Sequence, residues 1–86
     1  MFVIVTYDIN KKRVSKVKKV CQRYLNHVQL SVFEGNITES KLNKLKSELQ
    51  KVILVEIDQV CIYQFDSLKY AKKEQIGYCK VISNII

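Results

Sequence analysis

The sequence predicts an α+β fold in which two amphipathic helices cover one face of a β-sheet. Segments rich in β-branched and aromatic residues alternate with two segments that have helical hydrophobic spacing, in the order strand, helix, strands, helix, strands. This order matches a ferredoxin-like βαββαβ sandwich with an additional C-terminal strand. With 86 residues, no proline and two glycines, the chain shows no linker, so residues 1–86 should form a single domain. A domain this small buries only about 60–65% of the surface of its unfolded chain, and an intimate homodimer is therefore expected.

The first strand is expected at Phe2 to Tyr7, where the sequence reads FVIVTY. This segment is apolar on both faces of its two-residue alternation, so both faces must be covered. Helices can cover one face. Packing against the sheet of a second copy is the simplest way to cover the other, and an obligate dimer is predicted.

A basic amphipathic helix is expected next. Its apolar residues recur at helical spacing and are Val14, Val17, Val20, Cys21, Tyr24 and Leu25. The segment from Ile9 to Phe33 contains seven basic residues and no acidic one, whereas Glu34 to Ile86 carries eight basic against seven acidic residues. Almost the whole net charge of +7 is therefore local to this segment.

This concentration of cations predicts contact with the phosphate backbone of a nucleic acid. The residues expected to make it are Lys11, Lys12, Arg13, Lys16, Lys19 and Arg23. The alternative is that the helix merely presents a solvated face, which is the usual fate of charge runs. Seven cations without a compensating anion favour nucleic-acid contact.

The segment from Val28 to Phe33 alternates with a period of two, and Phe33 falls on the opposite side from Val28, Leu30 and Val32. A turn is expected at Glu34-Gly35-Asn36. The stretch from residue 28 to 37 is short for two antiparallel strands and has no turn signal in its middle. A bent or bulged strand is therefore expected to serve as both.

A second helix should begin after Thr38, a suitable N-cap, with Glu39 in its first turn. Its apolar positions are Leu42, Leu45, Leu49 and Val52. The run from Val52 to Ile57 fits either a strand or a helix end followed by a loop. Further strands are expected at residues 60–65 and 77–82, with a polar, lysine-rich connection around residues 69–75.

Asp8 is the main candidate for chemistry, because it ends the first strand and is the only acid before Glu34. Mg²⁺ often takes only one or two protein carboxylates, since water and phosphate oxygens complete its octahedron. A dimer would supply two copies of Asp8. The alternative is that Asp8, with Asn10, caps the first helix or shapes the loop.

Several other functions are disfavoured by the residues. His27 is the only histidine, so no Ser-His-Asp or Cys-His catalytic set is indicated, and no phosphate-binding glycine loop is present. The cysteines, Cys21, Cys61 and Cys79, form no CxxC pair and are expected to be reduced and mostly buried. No apolar run reaches the length of a signal sequence or membrane span, so a cytoplasmic protein without membrane contact is expected.

Over residues 1 to about 65 the chain resembles the Cas2 family of CRISPR-associated adaptation proteins. The resemblance lies in FVIVTYDI at residues 2–9, Arg13 opening a basic helix, VQLSVFEG at residues 28–35, the leucine-rich second helix, and DQVCIY at residues 58–63. It implies a ferredoxin-like homodimer whose C-terminal strand, about residues 76–83, packs on the partner protomer. It also favours a helix end and loop at residues 52–57.

The resemblance further implies a site and an activity. Asp8 of both protomers would face each other across the two-fold axis and hold a divalent metal, Mg²⁺ or Mn²⁺, with Tyr7, Arg13, Ser31 and Phe33 as candidate residues around it. Members of the family are described as metal-dependent endonucleases on RNA or double-stranded DNA, and as the scaffold for the Cas1 integrase in spacer acquisition. This chain departs from the family at His27, where arginine is frequent.

Two alternatives stay open beside the metal-dependent nuclease. The first is a non-catalytic DNA-binding scaffold, which needs the same dimer and the same charge. The second is a toxin-type ribonuclease of a related family with the same fold. A neighbouring CRISPR array would argue against the toxin.

Overall fold

The computed structural model describes residues 1–67 and 70–77. Within them, two α-helices pack on one face of a five-stranded antiparallel sheet of order β2-β3-β1-β4-β5. The elements are β1 (Phe2–Asp8), α1 (Lys11–Gln22), β2 (Asn26–Gln29), β3 (Val32–Asn36), α2 (Glu39–Val52), β4 (Gln59–Ser67) and β5 (Tyr70–Gly77). The predicted α+β class and the ferredoxin-like βαββαβ order with one additional strand are confirmed.

The core lies between the sheet and the two helices. Val3, Val5 and Tyr7 of β1 point into it, because alternate residues of a strand share a face. Phe33 of β3 also lies on this helix side, with no exposed surface. The helices contribute the apolar residues expected from their spacing, which are Val17, Val20, Cys21, Leu42, Leu45 and Leu49.

Both helix starts follow from local sequence. The Asn10 side chain accepts a hydrogen bond from the backbone N–H of Lys12 at 2.9 Å, so the asparagine caps α1. The Thr38 hydroxyl accepts from the backbone N–H of Lys41 at 3.2 Å and caps α2 as predicted. The helix ends at Val52 and a loop follows, which confirms the second interpretation of residues 52–57.

The segment after α1 forms two separate strands rather than one bent strand. Leu30 and Ser31 make the turn between them, and Glu34-Gly35-Asn36, the predicted turn, lies inside β3 instead. The register shifts between His27 and Gln29, so the expected irregularity is present, but within β2. Pairing of β3 with β1 over Val32 to Asn36 explains the difference, because it satisfies the backbone of residues that favour a turn in isolation.

The predicted lysine-rich connection at residues 69–75 is also wrong in part, because residues 70–77 form β5, which pairs with β4 of the same chain. Pairing along the edge of β4 supplies backbone hydrogen bonds that hydrophobic patterning does not reveal, and charged residues are common on edge strands. Of the predicted C-terminal strand at about 76–83, only Ile76 and Gly77 are described, at the end of β5. Residues 78–83, and their exchange onto a partner, lie outside the described residues.

The sheet face opposite the helices carries apolar side chains. Phe2 and Ile4 of β1 lie there, with Val32 of β3 and Phe65 of β4. The Phe2 and Phe65 rings contact each other, with centroids 6.3 Å apart. Neither α1 nor α2 covers this face, so its partial exposure agrees with the expected sheet-to-sheet contact between two copies. In the described part of the chain no helix is long and apolar enough to cross a membrane.

Candidate metal and nucleic-acid site

Asp8 is the last residue of β1, at the sheet edge where α1 begins and β4 starts. It pairs with Gln59 of β4. The backbone carbonyl of Ser31 accepts a hydrogen bond from the Tyr7 N–H at 3.1 Å, which brings the β2–β3 turn to the same end of the sheet. The structure therefore gathers Asp8, the Ser31 backbone and the start of α1.

The Asp8 side chain lies on the face opposite the helices, because Tyr7 before it points into the core. It is exposed and borders a small cavity of about 170 Å³. The residues lining this cavity are Thr6, Tyr7, Asp8, Gln59 and Cys61. Neutral amide, hydroxyl and thiol groups are thus its near neighbours in the chain, and the carboxylate lies on the same face as the apolar side chains of β1.

Two of the predicted companions of Asp8 are on the other side of the sheet. The Tyr7 and Phe33 rings stack in the core with centroids 6.2 Å apart, and exposed His27 stacks on Phe33 at 4.6 Å. Burial raises the pKa of the Tyr7 hydroxyl, which makes it a poor proton donor or acceptor near neutral pH. Within one chain, therefore, these rings shape the strand that carries Asp8 rather than surround its carboxylate.

Arg13, a third predicted companion, is bound to a buried carboxylate. Its Nε donates to Asp58 Oδ2 at 2.6 Å and its Nη2 donates to Asp58 Oδ1 at 2.8 Å, a bidentate pair. The carboxylate also accepts from the backbone N–H of Asn10 at 3.2 Å and from that of Leu54 at 2.9 Å. Asp58 is only 1% exposed, so all of its acceptor capacity is turned inward.

The Arg13 hydrogen bonds are the main cause that lowers the pKa of Asp58 to about 2. Backbone donors act in the same direction, and burial opposes them. The ionised carboxylate thus joins three segments: the backbone of Asn10, the first turn of α1, and the loop between α2 and β4. Since Asn10 lies two residues after Asp8, this network fixes the path of the chain as it leaves the candidate site.

Asp58 was missed by the sequence reasoning, which used it only as part of a motif. A signal was present, because it is an acid that lies between the apolar Ile57 and a strand containing Val60, Cys61 and Ile62. A carboxylate in such a place must find donors, and a basic helix is the obvious source. Its pairing with Arg13, 45 residues earlier, is a tertiary contact that no local pattern specifies.

The basic residues of α1 divide into two groups. Lys11, Lys12, Lys16 and Lys19 are exposed, as a phosphate contact requires. Arg13 and Arg23 are engaged: Arg23 pairs with Glu48 of α2, in addition to the Arg13–Asp58 pair. Lys12, Lys16, Lys19 and Arg23 are spaced by four, three and four residues and follow one face of the helix, so the cationic stripe spans the length of α1.

The possible metal ligands are the His, Cys, Asp and Glu side chains of the described residues. None of their His, Cys, Asp and Glu side chains form a group of three that could hold a metal ion. Among the described residues that line the cavity, Asp8 is the one carboxylate. A single exposed hard carboxylate is compatible with Mg²⁺, which keeps several waters and takes its other ligands from phosphate, but not with a closed Zn²⁺ site.

Comparison with known proteins places these features in a family. The family model described as "CRISPR associated protein Cas2" matches residues 1–73. The chain is 47% identical over 85 residues to "CRISPR-associated endoribonuclease Cas2 3" of Thermodesulfovibrio yellowstonii, covering 99% of this chain and 97% of the relative. It is 43% identical over 77 residues to "CRISPR-associated endoribonuclease Cas2" of Thermotoga maritima, covering 90% and 88%.

A solved structure agrees with the sequence relatives. The "Crystal structure of Streptococcus pyogenes Cas2 at pH 6.5" superposes with a TM-score of 0.70 at 35% identity, covering 76% of this chain and 86% of that chain. The fold and the sequence motifs therefore point to the same group of proteins.

Proposed function

The chain belongs to the CRISPR-associated Cas2 family, and from this premise we propose that it is a metal-dependent endoribonuclease that works as a homodimer in the adaptation stage of CRISPR immunity. The relatives' names support ribonuclease activity. RNA is accordingly the favoured substrate over double-stranded DNA.

The observation that carries this proposal is the position of Asp8. Its carboxylate is exposed at the end of a strand, on the apolar sheet face that the helices leave uncovered. If two copies pack through this face, their two carboxylates approach each other. That arrangement would supply the second hard ligand that one chain lacks, without any further acidic residue.

In this proposal Asp8 of both protomers would hold Mg²⁺ or Mn²⁺. Such an ion, when bound, polarises a phosphoryl oxygen and lowers the pKa of a bound water. Arg13 would act through Asp58, by fixing the backbone after Asp8. Ser31 would border the site through the β2–β3 turn, while Tyr7 and Phe33 would keep β1 rigid from the core side.

The direct test is cleavage of end-labelled RNA and duplex DNA of defined sequence by the purified protein. We expect RNA cleavage in Mg²⁺ or Mn²⁺ and none in EDTA. Equal cleavage with and without metal would contradict a metal-dependent mechanism. Cleavage of duplex DNA but not of RNA would show that the substrate is DNA instead of RNA.

The exposed lysines of α1 should make nucleic-acid binding depend on salt rather than on sequence. Log affinity should fall against log salt with a slope of about −0.9 per phosphate contact for a duplex. Lys16→Glu with Lys19→Glu should flatten that slope by about two contacts. The matched control reverses Lys44 and Lys51, which are exposed on α2. If both double variants change the slope equally, the α1 stripe is not the binding surface.

A second candidate function is a scaffold that binds DNA while a Cas1 integrase does the chemistry. It is favoured by one observation: the described residues of one chain provide a long cationic stripe but no three-residue metal cluster. It predicts duplex binding and integrase assembly by a protein that cleaves neither RNA nor DNA.

A further inference from the structure

A second polar cavity lies at the other end of the sheet from Asp8. Its volume is about 420 Å³, within the range of small-molecule pockets. The residues lining it are Met1, Arg23, Tyr24, Asn36, Ile37, Thr38 and Lys41. It therefore lies where β1 begins and β3 ends, between the end of α1 and the start of α2, and it shares no residue with the cavity beside Asp8.

The lining residues are held in place by hydrogen bonds to Glu48 and to one another. Glu48 accepts a hydrogen bond from the Tyr24 hydroxyl at 2.5 Å and another from Arg23 Nη1, so one carboxylate fixes two lining side chains. The Met1 nitrogen donates to the Ile37 carbonyl at 3.2 Å, and the Thr38 hydroxyl accepts from the Lys41 N–H. Six of the seven lining residues thus take part in these hydrogen bonds.

The charge of the cavity is positive. Arg23, which directly follows α1, and Lys41 of α2 contribute side-chain cations, and none of the seven lining residues is acidic. Glu48 occupies one nitrogen of Arg23, but a guanidinium has five N–H donors, so donors remain for a ligand. The Asn36 amide adds polar capacity. Arginine and lysine around a concave polar site are typical of phosphate recognition.

We propose that this cavity binds a phosphate monoester, either the terminal phosphate of a nucleic acid or that of a mononucleotide. A monoester carries a charge of about −1.5 to −2 near neutral pH and three terminal oxygens. A monoester therefore interacts more strongly than a singly charged backbone diester with Lys41 and with the Arg23 guanidinium, whose charge Glu48 partly compensates.

The basic stripe of α1 leads to this cavity. Lys12, Lys16, Lys19 and Arg23 follow one face of the helix, and at 1.5 Å per residue the stripe is roughly 16 Å long. Its last member, Arg23, lines the cavity. A strand held along α1, as the proposed function requires, would therefore bring its end to the pocket. The pocket itself does not depend on Asp8 or on a metal.

The test is a binding measurement in EDTA, so that its failure is separate from any failure of the nuclease proposal. Fluorescence anisotropy would compare single-stranded oligonucleotides that carry a 5′-phosphate, a 3′-phosphate or hydroxyls at both ends. We expect about tenfold tighter binding for one of the phosphorylated ends, as charge-assisted hydrogen bonds of this kind provide. Adenosine 5′-monophosphate, added as a competitor, should remove this preference.

Lys41→Gln should abolish the preference, because the phosphorylated oligonucleotide should lose much more affinity than the hydroxyl-ended one. Lys51→Gln, which makes the same charge change at the far end of α2, is the matched control and should keep it. If the oligonucleotides bind without any end preference but adenosine 5′-monophosphate still binds, the site is assigned to a free phosphorylated ligand. The proposal is overturned if the protein shows no end preference and also binds no mononucleotide, the latter measured in addition by NMR shifts of the Thr38 and Lys41 amides.

Discussion

Asp8→Asn should abolish metal-dependent RNA cleavage, by about 10³-fold or more, while the protein stays folded. The substitution removes the hard anionic oxygen that a divalent ion requires and keeps the shape of the side chain. The fold should tolerate it, because Asp8 is exposed at a strand end. If two copies place their carboxylates close together, loss of that repulsion should also stabilise the metal-free dimer slightly.

Three measurements make this result specific. The variant should unfold at a temperature no lower than the wild type does, sediment as the same dimer, and bind RNA in EDTA with unchanged affinity. Glu34→Gln, a neutral substitution of a partly exposed acid on β3, is the matched control and should cleave normally. Undiminished Mg²⁺-dependent cleavage by Asp8→Asn would rule out the proposed site. A wild type that binds duplex DNA but never cleaves would instead favour the scaffold.

Arg13→Gln should lower the free energy of unfolding clearly more than a surface substitution does, because it leaves the buried Asp58 carboxylate without its cation. Asp58→Asn should cost less because it removes the buried charge: the amide oxygen can still accept from either the Asn10 or the Leu54 N–H group, and the Arg13 side chain, 18% exposed, can turn to solvent. Urea denaturation of both variants measures the difference. Lys12→Gln on the same turn of α1 is the control and should change stability by no more than about 0.5 kcal/mol.

The same pair predicts a dependence on pH. The folded pKa of Asp58, about 2, lies below its usual value of 3.8, so the stabilisation is complete above about pH 4 and is lost as the pH falls towards 2. In Arg13→Gln the buried Asp58 carboxylate lacks its main stabilising partner. Protonation of Asp58 removes its unpaired charge and so reduces the destabilisation of the variant. The stability gap between the two proteins should therefore narrow from pH 4 to pH 2. A constant gap across this range would mean that Arg13 stabilises the fold by some other contact.

Local patterns predicted most of the elements. The spacing of Val17, Val20 and Cys21 placed α1, and Thr38 placed the start of α2, because helix periodicity and capping depend on residues within a few positions of each other. The position of Asp8 at the end of β1 followed equally from the limit of an apolar run. The resemblance of residues 1 to about 65 to Cas2 was confirmed by the family match.

Strand boundaries and side-chain partners depend on contacts between segments that are distant in the sequence. The lysine-rich residues 70–77 became β5 only because the edge of β4 was available to pair with them, and residues 34–36 extended β3 because β1 lay beside them. Backbone hydrogen bonds between strands can form whatever side chain a residue carries, so amino-acid composition does not reveal them.

The candidate site shows the same division. By itself the sequence determined that one acid would stand at the end of a strand next to a cationic helix, because both features are local. Only the tertiary structure decided that Tyr7 and Phe33 face the core while Asp8 faces outward, and that Arg13 serves the buried Asp58. Those assignments depend on which sheet face the helices cover and on a contact across 45 residues, and both are fixed by packing of the whole chain.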